Sequence, residues 1–145
     1  MMAQFESQKS VAVYLSRYRI AKAEVKDVEQ RIDRARAEMM GVKAISYEGG
    51  DMPSGTRIVD LSDYIVRIED LIHEWQKAQV HAIETMRDIS AMINTVSHDY
   101  ARRVLMLYYI DGYTCEEIAE MIPCGIASVY RWRRIGLKAL KDDSK

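Results

Sequence analysis

The residues that most limit what this chain can become are the apolar and small side chains that recur three and four positions apart near its start. Val11, Tyr14, Tyr18, Ala21, Val25, Val28, Ile32, Ala35 and Met39 form one such series. A strand would send these side chains to alternate faces, whereas an α-helix gathers them on one stripe. A spacing kept for about four heptads is a seam for packing against another helix. The positions between, among them Arg17, Lys22, Glu24, Lys26, Asp27, Glu29, Arg31, Arg34 and Glu38, mix both charge signs. They read as a solvated face with local ion pairs, and their acids interrupt any basic stripe.

A second series runs through Leu61, Ile65, Ile68, Ile72, Trp75, Gln79, Ala82, Met86, Ile89, Ile93 and Val96. Two seams of similar length predict a long antiparallel helical hairpin over 1–96. The loop is expected at about 41–59, where Gly49-Gly50, Met52-Pro53 and Ser54-Gly55 are successive breakers. Tyr47 and Met52 are expected to tuck that loop onto the hairpin, and Asp60 or Ser62 to cap the second helix. Leu71, Val80 and Ile83 widen the second stripe. A wider stripe asks for more than one partner, which predicts a homodimer through the hairpin.

The C-terminal region, 97–145, carries a different signal. A helix Asp99–Asp111, capped by Ser97, is expected to end at Gly112 as the residue that turns the chain. Thr114 and Glu117 then form a T-x-x-E capping box flanked by Tyr113 and Ile118. The helix that follows is short and stops at Pro123-Cys124-Gly125, after which a second runs from about Ile126 to Lys141. Two helices crossing at a tight turn need apolar contacts at fixed offsets and a small residue at their approach. Ile118, Ile122, Cys124, Val129 and Trp132 supply the contacts, and Ala119 the small residue. The chain is therefore expected to be all-α, a coiled-coil-like hairpin followed by a three-helix helix-turn-helix domain.

From Ser97 to Leu140, chiefly in Tyr113–Ile122 and Ala127–Leu140, the sequence resembles the promoter-binding C-terminal domain of sigma factors. Over its whole length it is similar to small phage and prophage proteins related to ArpU-type late-gene transcriptional regulators. The second likeness takes in the N-terminal helix and the Tyr47–Gly55 segment with Met52-Pro53. Pro123 stands where such motifs place a turn glycine, so Gly125 is expected to supply the positive φ that proline cannot. The likeness implies binding of double-stranded DNA to regulate transcription, with RNA polymerase as a further partner. A DNA-packaging or assembly protein and a helical protein-interaction module are the alternatives.

A net charge of −1 excludes coating of nucleic acid by bulk charge, but its distribution is uneven. Between Ile126 and Lys141 stand Arg131, Arg133, Arg134, Lys138 and Lys141 with no acid, whereas the short helix before carries Glu116, Glu117 and Glu120. One helix fits a DNA major groove, so the DNA-reading residues are expected on this last helix. Arg131 and Arg134 are the candidates for guanine edges or nearby phosphates. Tyr130 is placed for a phosphate or a thymine methyl; Arg133, Lys138 and Ser128 for the phosphate backbone; Ile126 and Ala127 on the exposed approach. Trp132 belongs to the packing set. A fragment beginning at Ser97 is expected to keep weak DNA binding.

Nothing in the chain suggests catalysis. His73, His81 and His98 lack metal-site spacing, Cys115 and Cys124 are too few for a disulfide framework, and no nucleophile motif or phosphate-binding loop is present. Cys115, in the first turn of a helix, is the one thiol whose position could lower its pKa. The expectation is a cytoplasmic non-enzyme without cofactor or membrane span.

Overall fold

The computed structural model describes residues 5–48 and 54–143, with side chains described for 5–44 and 61–143. Among these residues the chain is helical and holds no strand, as the periodicities require. In order it forms α1 (Gln8–Leu15), α2 (Arg17–Glu48), α3 (Ser54–Ile93), α4 (Asp99–Leu105), a π-helical turn (Met106–Ile110), α5 (Cys115–Met121) and α6 (Ile126–Asp143).

Two compact units result, one of residues 22–81 and the other of 1–21 together with 82–145. In the first, α2 and α3 run antiparallel. Trp75 Nε1 donates to Glu29 Oε1 at 3.1 Å, Arg31 pairs with Glu74 and Arg67 with Glu38, both at 3.6 Å. Partner numbers fall on one helix as they rise on the other, which fixes the direction. Val28, Ile32 and Ala35 are buried here, as the α2 seam requires. On α3 the stripe departs from the expected one. Tyr64 and Leu71 are half-buried, while Ile65 is about half exposed. A straight helix drifts against a strict heptad, so a member near the end of the series, Ile65, turns off the seam while Leu61 stays half-buried.

The hairpin helices are longer and their connection shorter than expected. α2 continues through Gly41 to Glu48, and α3 begins at Ser54 rather than at Asp60 or Ser62. One glycine within a helix costs only about 1 kcal/mol, which a long packed helix absorbs. Gly49-Gly50 and Met52-Pro53, and the side chain of Tyr47, lie outside the described residues.

The second unit holds more than 97–145. Its core joins Val11 and Leu15 of α1, Ile89 and Ile93 of α3, and Val96 to Ala101, Leu105, Tyr109, Leu137 and Leu140. α1 is separated from α2 at Ser16, whose Oγ donates to the Ala12 carbonyl at 2.7 Å. Such back-bonding bends helices, and Leu15 beside it, outside the expected seam, is fully buried. Ser7 and Ser10 cap α1 reciprocally.

His98, not Ser97, caps α4, its Nδ1 accepting from the Ala101 amide at 3.1 Å. Arg102 steadies this corner with one guanidinium nitrogen on the Val96 carbonyl and another on Asp99.

Candidate nucleic-acid interface

The frame of the site is a second apolar cluster in which Val104, Cys115, Ile118, Ile122 and Val129 are buried, with Ala119, Cys124 and Trp132 packed against it. Every apolar offset expected of the helix-turn-helix is in this cluster. Cys115 is one of its members. Burial pushes its thiol pKa up, the opposite of what a helix start alone would do, so it is a packing residue.

Both ends of α5 are set by local chemistry. Thr114 Oγ1 accepts from the Glu117 amide at 3.2 Å, and Glu117 Oε1 accepts from the Thr114 amide at 3.4 Å. Gly112 upstream has φ +80°, the left-handed turn anticipated for it. At the other end Ile122 leaves the helix in an extended conformation, with φ −104° and ψ 114°. Gly125 is not left-handed, since Gly112 is the only positive-φ residue among those described. The turn therefore needs no left-handed residue at Pro123 or Gly125, and the expectation for Gly125 is corrected. An extended Ile122 before proline is the conformation that proline favours in its neighbour. The Gly125 carbonyl accepts from the Ser128 amide and starts α6.

α6 buries Val129, Gly136, Leu137 and Leu140. At Gly136 a Cβ would stand 2.6 Å from Leu105 Cδ1, so the absence of a side chain lets α6 lie close on α4. Trp132 is half-buried and stacks on Tyr100 at 4.6 Å with an interplanar angle of 11°. Its place is in the packing between helices.

Ala127, Arg131, Arg134 and Lys138 are exposed on the opposite side of α6. Among the described residues neither arginine forms an ion pair. Ile126 and Tyr130 stand at the edge of this face, about two-fifths exposed, and Ser128 is half-buried.

Arg133 differs from its neighbours. Its Nε and Nη2 donate to the Tyr109 hydroxyl at 3.3 and 3.2 Å, and its guanidinium lies 4.4 Å from the Tyr108 ring. Burial disfavours the Arg133 charge, yet the Tyr109 hydrogen bond and the electrostatic influence of Tyr109, Tyr108 and Cys115 outweigh that and raise its pKa. Tyr109 itself is pushed up by burial, against the pull of Arg133. The side chain expected on the phosphate backbone is thus engaged within the fold.

Arg19 is a residue the sequence reading missed. Its guanidinium donates to the Tyr108 carbonyl and stacks on the Tyr108 ring at 4.2 Å. The cause is the π-helical turn, in which the Asp111 amide reaches back five residues to Met106. The Tyr113 amide then meets Leu107 instead of Tyr108, and Arg19 takes up the Tyr108 carbonyl. Only the aromatic run Tyr108-Tyr109 hinted at cation partners.

Among the described residues no cluster of His, Cys, Asp or Glu could hold a metal ion, and no helix is long and apolar enough to cross a membrane. The chain belongs to a family described as protein of unknown function (DUF1492), which matches residues 52–141. No curated protein and no solved structure matches it.

Proposed function

For this member of the family we propose sequence-specific binding of double-stranded DNA through α6, in the service of transcriptional regulation. The observation that carries the reading is the exposed face of Ala127, Arg131, Arg134 and Lys138. It lies on a helix anchored by Val129, Gly136, Leu137 and Leu140. A rigid helix presenting two arginines without ion pairs suits a major groove, where arginine meets guanine O6 and N7 bidentately. Tyr130, Ser128 and Ile126 border this face; Lys138 adds a phosphate contact.

The likeness of residues 97–140 to sigma-factor promoter-binding domains supports transcription as the setting, and the likeness to ArpU-type regulators supports phage or prophage late genes. Fragments of the source genome offered to the full chain test this. Enrichment of duplexes lying upstream of a transcription unit is expected, and enrichment of a packaging locus would favour the assembly alternative instead.

The hairpin serves a protein contact in this reading, with a second copy or with RNA polymerase. What favours it is apolar surface left on α3, where Val66 and Val80 are each 56% exposed. A homodimer is the first expectation, and a monomer in sedimentation equilibrium at tens of micromolar would remove it.

A further inference from the structure

α1 packs beside α6 in the same compact unit, and the two helices enclose a groove of about 570 Å³. Gln8 and Lys9 line it from α1; Tyr130, Arg133 and Arg134 line it from α6. Ala12, Ala127 and Leu137 complete the wall, and among the described residues no carboxylate contributes to it. The polar side chains of the groove are all hydrogen-bond donors or amphoteric, and three of them are cations.

We infer that this groove receives a backbone phosphate of the DNA duplex that α6 reads, with Lys9 as the contact contributed by α1. The inference rests on the assignment of α6 to the major groove. That groove is about 12 Å wide and a helix with its side chains fills about 10–12 Å. Anything packed alongside the N-terminal half of α6 therefore meets the sugar–phosphate ridge rather than base edges. Lys9 is exposed, and it sits on a helix held by the fully buried Val11 and Leu15. The backbone from which Lys9 projects is thus fixed before DNA arrives, and only its side chain is left to be ordered on binding. A phosphate contact adds affinity on every sequence and no discrimination between sequences.

The test uses the full chain and two duplexes of equal length, one recovered from the genomic selection and one scrambled. One phosphate contact accounts for about 0.9 in the slope of log K against log salt, which is about eightfold in affinity at 0.1 M salt. Lys9→Ala is expected to weaken binding to both duplexes by about that factor, to flatten the slope by about 0.9, and to leave their affinity ratio intact. Lys9→Arg should restore both values. Lys77→Ala removes the same charge from the hairpin and should change neither. Wild-type affinity and slope in Lys9→Ala, with preference still lost in Arg131→Ala, would overturn the groove and spare the DNA assignment. An equal loss in Lys77→Ala would trace the effect to net charge and also overturn it. Salt-independent or absent binding by the unmodified chain would remove both proposals.

Discussion

At Gly136 the lack of one methyl group sets how closely the reading helix lies on α4. Leu105, which a Cβ there would strike, is fully buried and has little room to turn aside. Gly136→Ala should therefore lower stability by about 1–3 kcal/mol through overpacking, less up to about 1 kcal/mol returned by the helix preference of alanine. Urea denaturation should show a reduced midpoint. In a Leu105→Ala background the colliding carbon is gone, and the same change should become stabilising, a coupling expected only of residues in contact. The two thiols give a second residue-level test. Cys115 is buried with its pKa raised by desolvation, whereas Cys124 is only partly covered. Alkylation of the native chain near pH 8 should modify Cys124 first, and faster labelling of Cys115 would contradict its place in the core.

Among the elements, α5 is the most exposed to loss of a single contact. It spans only Cys115–Met121, too short to persist without its neighbours, and its start depends on the Thr114–Glu117 box. Thr114→Ala should cost about 1 kcal/mol, seen as a lower thermal midpoint of the whole chain. The elements also divide by how readily they could be read from sequence. The seam Val25, Val28, Ile32, Ala35 was visible because a regular stripe leaves a regular spacing. The capping box and Gly112 were visible because each meets a local backbone need with few residue types. The interruption at Ser16 left no such mark, since a serine inside a helical pattern bends it only when its hydroxyl turns back on the helix. Nor did the π-helical turn, whose displaced Tyr108 carbonyl is met by Arg19, far away in sequence. The role of Arg133 was hidden for the same reason, because its partner Tyr109 stands on another helix.

In the whole molecule, the unit that carries α6 is built from both ends of the chain. Val11, Leu15, Ile89, Ile93 and Val96 all enter its core. Burying such side chains contributes about 1.5–3 kcal/mol each, which together rivals the ~5–15 kcal/mol stability of an ordinary domain. A fragment beginning at Ser97 lacks them all and should show no cooperative melting transition by circular dichroism, so the weak DNA binding expected of it from the sequence alone is replaced by an expectation of none. A cooperative melt from that fragment would mean the N-terminal helices are dispensable to the unit. DNA reading by α6 is then tested most directly in the full chain by the salt dependence of its affinity for a selected duplex, compared with the Arg131→Ala, Arg134→Ala double variant. Three or four neutralised phosphates per chain give a slope of log K against log salt of about −2.7 to −3.6. Loss of two bidentate contacts should remove about 2–6 kcal/mol of discrimination while helicity is retained. A double variant that keeps both the slope and the preference for the selected duplex would contradict the assignment of α6 as the reading helix.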